Sequence, residues 1–140
     1  SGGRRAYRLT AAPRPGPGLT NVVADLVSDL GNAPKERRLY AWFDAATGRP
    51  LRFDDLVRPE QQPRLDTLVL DALRRQAGLA AGRPLTDAGF TRADPPCTEN
   101  ILITDAGLTA TWNPQEIAPA HRGRIEVTIS RAELTGILTR

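Results

Sequence analysis

The sequence predicts an α+β fold, in which an antiparallel sheet packs against one long helix and one short C-terminal helix. Residues 101–112 have the pattern of a β-hairpin, and residues 125–129 that of a further strand. A long amphipathic helix pattern that ends at Gly78 precedes both. Strands and helices in separate parts of a chain are typical of this class. At 140 residues, one domain is the simplest organisation.

The hairpin prediction depends on two apolar runs around a short turn. Residues 101–103 read Ile-Leu-Ile, a run that suits a half-buried strand. Residues 104–107 read Thr-Asp-Ala-Gly, where Asp can bond its own backbone and Gly accepts positive φ. Leu108, Ala110 and Trp112 then alternate with threonines, so they share one face of the second strand.

The C-terminal part predicts a strand followed by a capped helix. Ile125, Val127 and Ile129 alternate with polar residues, as in a strand with one face in a core. Residues 130–133 read Ser-Arg-Ala-Glu, a capping box, and residues 134–138 supply the apolar side of a short helix.

The long helix is predicted between two prolines and a glycine. Pro59 or Pro63 suits its first turn, where the missing amide costs little, and Gly78 ends it. Its buried stripe is Leu65, Leu68, Val69, Ala72 and Leu73. The connection that follows, residues 79–96, carries Phe90 as an expected anchor in the core.

The N-terminal third is harder to assign. Residues 1–18 read as a basic Pro/Gly-rich leader or edge segment, in which Pro13, Pro15 and Pro17 are expected to prevent regular ladder pairing. Residues 19–30 fit both a helical stripe and a strand alternation, and periodicity alone favours the helix. A polar loop is expected at residues 31–38, and an aromatic-rich strand at residues 39–44.

Charge does not predict a nucleic-acid partner. Residues 1–18 contain four arginines and no acidic residue, whereas the remainder carries 15 basic and 16 acidic residues. The excess therefore lies on the leader, and the folded part is close to neutral. No run of 18 apolar residues is present, so no transmembrane segment is predicted.

Catalytic and metal-binding residues are scarce, and the sequence predicts no cofactor and no metal. His121 is the only histidine and Cys97 the only cysteine, too few for a zinc site; a Cys–His dyad between them has no other support. Asp44, Asp54, Asp55 and Glu116 are the carboxylates considered for glycoside hydrolysis or calcium binding. Asp54 and Asp55 are better explained as helix-capping residues.

A second feature of the C-terminal part is the proline-bracketed segment Trp112–Pro119. Pro114 and Pro119 enclose four residues, and Ile117 is the apolar residue that could pin them to the core. Prolines lower the entropy that a loop loses on ordering, and a preorganised loop suits a binding surface. A tightly packed connector is the alternative interpretation.

Residues 100–134 together resemble the C-terminal domain of RsiV-type anti-sigma factors. The resemblance rests on the strand, Asp–Gly-type turn and strand, then the Glu116-Ile117-Ala118-Pro119 loop, Gly123, a strand and the capped helix. It extends upstream through the Thr47-Gly48 turn and the long helix to about Leu19. The family fold is a curved antiparallel sheet packed by helices, which implies a strand rather than a helix at residues 19–30.

The resemblance also implies a function. In the characterised members of that extracytoplasmic family, most of which has no assigned function, the domain is a binding module that recognises lysozyme through the loop equivalent to residues 113–123. Two positions depart from the family pattern, since Gln115 replaces a tyrosine and Ala120 an aromatic residue. The predicted contact residues are Trp112, Pro114, Gln115, Glu116, Pro119, His121 and Arg122.

The resulting hypothesis is a non-enzymatic domain outside the cytoplasm, in the periplasm or on the cell surface, with a lipid anchor as one option. Its expected partner is lysozyme, another peptidoglycan hydrolase or another envelope protein. A carbohydrate-active enzyme and a purely structural accessory domain remain the alternatives.

Overall fold

The computed structural model describes residues 6–29 and 34–140. It contains two antiparallel sheets, one of four strands in the order β1-β2-β3-β4 and one of three in the order β5-β6-β7. The α+β prediction is confirmed, although the strands divide between two sheets instead of joining in one.

The first sheet is a meander of long strands. It comprises β1 (Ala6–Gly16), β2 (Leu19–Asp29), β3 (Pro34–Asp44) and the short β4 (Pro50–Leu51). The helical periodicity of residues 19–30 is misleading, because β2 pairs along its whole length with β1 and β3. The strand implied by the family resemblance is confirmed up to Asp29; Leu30 lies outside the described residues.

Strand β1 shows that the expected effect of the prolines was wrong. Residues 6–16 pair in register with β2 through Pro13 and Pro15. These prolines lie two residues apart, so their nitrogens face the same side, and an edge strand has one side without a partner. Pro17 and Gly18, at φ 69°, form the turn into β2.

Strand β3 begins earlier than expected. Residues 35–38, predicted as part of a polar loop, lie in the strand and pair with residues 25–28 of β2. Their charged side chains are compatible with a strand here because Lys35, Glu36 and Arg37 are exposed.

The helical part matches its prediction closely. A short helix α1 (Phe53–Leu56) begins where the Asp55 carboxylate accepts the Arg52 amide at 2.8 Å. After a 3₁₀ turn at Pro59–Gln61, helix α2 (Gln62–Gln76) buries Leu65, Val69, Ala72 and Leu73. Phe90 is buried in the connection that follows, as expected.

The second sheet contains the predicted hairpin, β5 (Ile101–Thr104) and β6 (Gly107–Trp112), followed by β7 (Ile125–Ser130). The capping box at Ser130 and Glu133 is present. However, the helix that it begins is a single 3₁₀ turn, Arg131–Leu134, because the chain then turns back and Leu138 bridges to Val57.

The core lies between α2 and the second sheet. Alternate residues of β5–β7 face the helix, and the loops contribute Leu85, Phe90, Ile117 and Ile137 to the same cluster. Along the described ranges, no helix has the length and apolar character needed to span a membrane.

Asparagine side chains join the two sheets. Asn21 of β2 is fully buried, and its amide donates to the Ile103 carbonyl at 2.7 Å and accepts from the Ile103 amide at 3.1 Å. Asn100 accepts from the Tyr40 amide at 3.0 Å and donates to the Arg38 carbonyl at 2.8 Å. Each primary amide thus occupies the donor and acceptor positions of a neighbouring strand.

Candidate functional site

The 113–123 loop begins at a third asparagine of this kind. Asn113 is 3% exposed, and its side chain accepts from the Arg38 amide at 2.7 Å and donates to the Arg38 carbonyl at 2.9 Å. Its own amide donates to the Glu116 carboxylate at 2.6 Å. The start of the loop is therefore fixed both to β3 and to its own tip.

The loop tip has an unusual backbone. Gln115 is the only non-glycine residue with positive φ, at 75°, in the parts of the chain that the structure describes. An L residue with a side chain adopts this conformation at a cost, and such positions cluster at functional sites. The bond from the Glu116 amide to the Asn113 carbonyl, at 3.2 Å, closes the turn beneath Gln115.

The middle of the loop is pinned to the core. Ile117 and Ala118 are 2% and 3% exposed, and the Ile117 carbonyl accepts the Thr91 amide at 2.9 Å. The predicted role of Ile117 as an apolar pin is confirmed. These contacts fix Ile117 and Ala118 in the core, so the exposed tip residues Gln115 and Glu116 are attached to an ordered base.

The end of the loop is a 3₁₀ turn, Ala120–Arg122, that is tied to the neighbouring connection. The Arg122 guanidinium donates to the Ala88 carbonyl at 2.9 Å and lies 4.9 Å from the centre of the Phe90 ring. Cation–π contacts of this geometry contribute about 0.5–1 kcal/mol at exposed sites. His121 is exposed at the apex of the turn.

The structure divides the seven predicted contact residues into three groups. Trp112 is 3% exposed and lies in the core, so its predicted direct contact with a partner is wrong; the alternation that named it marks a core position. Pro114 and Pro119 are half-buried. The exposed ones are Gln115, Glu116, His121 and Arg122.

The other groups considered for chemistry have structural roles. Burial is the main cause that raises the pKa of the Cys97 thiol to about 12, and the negative charge of Asp66 is the second. This thiol donates a hydrogen bond to the Thr98 carbonyl at 3.2 Å. Asp44 accepts from Thr47 and Arg140. Within residues 6–29 and 34–140, no three His, Cys, Asp or Glu side chains are grouped to hold a metal ion.

Sequence reasoning missed a charged groove between the two sheets. Arg38 forms a two-point ion pair with Asp25, at 2.8 and 3.0 Å, which raises the pKa of Arg38 and lowers that of Asp25. Nearby, Glu126 accepts from Arg124 at 3.0 Å and from Thr111 at 3.2 Å. The expected loop at residues 31–38 obscured this groove, because it left Glu36, Arg37 and Arg38 outside the predicted sheet.

Residues 54–132 match the model of a family described as protein of unknown function, DUF3298. The chain belongs to the DUF3298 family. No curated protein is similar to it in sequence.

Two solved structures of DUF3298 proteins have the same fold. One, from Bacteroides fragilis, superposes with a TM-score of 0.78 at 21% identity and covers 96% of this chain. The other, from Pseudomonas aeruginosa, gives 0.75 at 19% identity and the same coverage. This chain spans 55% and 62% of the lengths of those two chains.

Proposed function

We propose that this DUF3298 chain is a non-enzymatic, extracytoplasmic binding domain of the RsiV type. It recognises lysozyme or another peptidoglycan hydrolase through the exposed residues of the 113–123 loop. The observation that carries the proposal is the construction of this loop, in which a buried base holds exposed polar residues in a strained backbone.

Rigidity of this kind favours binding. The Asn113 clamp on Arg38, the buried Ile117 and the Arg122 contact with Ala88 fix the loop at its start, middle and end. A loop that is ordered before association loses little conformational entropy on binding. Such a loop can therefore support affinity without the aromatic residues found at positions 115 and 120 in the resembled family.

Glu116 is the residue with the clearest dual role. One carboxylate oxygen, Oε2, accepts the Asn113 amide, and no donor from the described residues bonds Oε1. The side chain can therefore order the loop through one oxygen and meet a donor of the partner through the other.

The test is calorimetric titration with c-type lysozyme, paired with a lysis assay on bacterial cell walls. We expect binding and a loss of lysis. The double variant Glu116→Ala/Pro119→Ala should bind at least tenfold more weakly, about 1.4 kcal/mol. Its matched control is Glu99→Ala/Pro96→Ala, which changes the same residue types at exposed positions of another loop.

Equal affinities for the two double variants, with unchanged unfolding midpoints, would reject the loop as the contact surface. No heat from the wild-type domain would reject lysozyme as the partner, and the same titration would then be made with endogenous wall hydrolases. The domain alone should not lyse or modify walls; such activity would favour the alternative of a carbohydrate-active enzyme.

A further inference from the structure

The groove between the two sheets is a second recessed surface, separate from the loop tip. It consists of two adjoining pockets of ≈ 380 and ≈ 480 Å³, and Arg38 lines both. The first pocket is lined mainly by Arg14, Tyr40, Thr104, Thr109, Glu126 and Thr128. The second is lined mainly by Arg8, Thr10, Asp25, Glu36, Arg37 and Arg124.

The wall at the junction of the pockets is rigid. The side chains of Asn100 and Asn113 hold the Arg38 peptide group, and Asp25 fixes its guanidinium through two bonds. Bidentate pairs of this kind keep both side chains in one geometry. The pair uses Nε and Nη2 of Arg38, so the Nη1 group of the same fixed guanidinium remains for a ligand.

The floor of the first pocket is a hydrogen-bonded chain. The Tyr40 hydroxyl lies 2.8 Å from the Thr111 hydroxyl, which donates to Glu126, and Glu126 accepts in turn from Arg124. The hydroxyls of Thr109 and Thr128 form a second pair, 3.0 Å apart. Hydroxyls act as donors and acceptors, so this floor can match ligand hydroxyls of either polarity.

The groove also carries an excess of positive charge. Five arginines line it, against the three carboxylates of Asp25, Glu36 and Glu126. Arg38 and Arg124 have acidic partners, whereas Arg8, Arg14 and Arg37 form no salt bridge with any residue that the structure describes. Of these three, only Arg14 lines the first pocket, beside its hydroxyl groups, so it is the arginine best placed there to receive an acidic group from a ligand.

We propose that this groove binds an oligosaccharide that carries carboxylate groups. Its two pockets suit a chain of sugar units, its paired ionic and hydroxyl side chains suit sugar hydroxyls, and its unpaired arginines suit carboxylates. A single-stranded nucleic acid fits less well, because its bases stack on several aromatic side chains and the two pockets have one aromatic residue, Tyr40. A peptide held by apolar side chains fits less well, because the apolar lining residues, Val23, Leu26, Val27, Leu102 and Ala106, are outnumbered by charged and hydroxyl-bearing ones.

The experiment follows the amide resonances of the ¹⁵N-labelled domain during titration with three tetrasaccharides. The first alternates N-acetylglucosamine and N-acetylmuramic acid, and the second is a galacturonic acid tetramer. The third, chitotetraose, matches the first in size but lacks its carboxylates. We expect shifts at Tyr40, Thr109 and the Arg38 Nε–H group, with chitotetraose at least tenfold weaker than the better acidic ligand.

Charge reversal locates the contact. Arg14→Glu should weaken acidic-sugar binding at least tenfold, and Arg49→Glu, which makes the same charge change at an exposed turn away from the groove, should not. Both side chains are exposed, so both variants should keep the wild-type unfolding midpoint. A preference for the muramic acid tetramer would assign a bacterial wall ligand, and a preference for the galacturonate tetramer would assign an acidic exopolysaccharide.

The proposal is overturned if no tetrasaccharide binds, if chitotetraose binds as tightly as the acidic ligands, or if Arg14→Glu and Arg49→Glu weaken binding equally. The lysozyme titration shows whether the proposed function of the 113–123 loop fails independently of the sugar-binding proposal. Arg14→Glu should leave lysozyme affinity unchanged, because Arg14 lies on β1 and not in the 113–123 loop.

Discussion

Replacing Asn21 by leucine tests whether side-chain amides hold the two sheets together. Leucine has the same number of side-chain heavy atoms, branched at the same position, so the substitution removes the hydrogen bonds without opening a large cavity for water. The Asn21 side chain bonds both polar groups of the Ile103 peptide backbone, at 2.7 and 3.1 Å, and donates to the Arg14 carbonyl at 3.1 Å. The variant would leave the Ile103 amide and carbonyl unpaired in the interior.

The magnitude follows from those two groups. Ile103 is 1% exposed, so water cannot easily replace the lost partners. An unpaired buried donor or acceptor costs about 1–3 kcal/mol, so the two together should cost about 2–6 kcal/mol. The Arg14 carbonyl lies on an exposed edge strand and adds little. A typical domain is stable by about 5–15 kcal/mol, so the loss is a large fraction of the total.

The assay is urea unfolding followed by far-UV circular dichroism. For a slope near 1.5 kcal/mol/M, we expect the midpoint to fall by more than about 1 M with little change in slope. The control is Thr20→Val, an isosteric change at the adjacent residue, whose side chain faces the opposite side of β2; it should stay within about 0.5 kcal/mol of wild type. If Asn21→Leu behaved like this control, the amide bonds would not stabilise the sheet contact.

The remaining predictions concern two titratable groups. The Thr47 backbone amide, followed by the Arg140 guanidinium, holds the pKa of Asp44 at about 2, below its ordinary 3.8. A lowered pKa gives stability that is present above about pH 4 and is lost as the pH falls towards 2. Asp44→Asn should therefore reduce the fall in the free energy of unfolding between about pH 4 and pH 2. If the variant lost as much unfolding free energy as the wild type over this range, the pKa of Asp44 would not differ between the folded and unfolded states. Burial raises the pKa of Cys97 to about 12, so Ellman's reagent at pH 8 should label it only in denaturant. Rapid labelling of the native protein would contradict this burial.

Local patterns predicted the C-terminal half well because its structure depends on neighbours in sequence. The turn at residues 104–107, the alternation at Ile125–Ile129 and the Ser130 capping box each need only a few adjacent residues. Helix α2 likewise has proline in its first turn, glycine after its end and a continuous apolar stripe.

The N-terminal half was less predictable because its structure depends on pairing across the chain. Residues 19–30 fit a helix locally, but two flanking strands use their backbone groups in a sheet. Pro13 and Pro15 are tolerated because β1 has one open edge, a property of the sheet order and not of the segment.

The candidate sites show the same division. The loop prolines and Ile117 could be identified from composition, whereas the groove requires Asp25, Arg38 and Glu126 to meet from three strands of two sheets. One signal was available for the contact between the two sheets, since asparagine is depleted in strands and Asn21 lies inside the β2 pattern.

The position of Asn113 has a consequence for the communication between the two surfaces. Its side chain holds the Arg38 peptide group in the groove wall, while its backbone starts the loop whose tip is proposed to meet a protein. If an occupant of either surface alters this clamp, thermodynamic linkage requires the two occupants to change each other's affinity by the same factor. A single side-chain amide would then couple the binding of an acidic oligosaccharide in the groove to the binding of a protein at the loop tip.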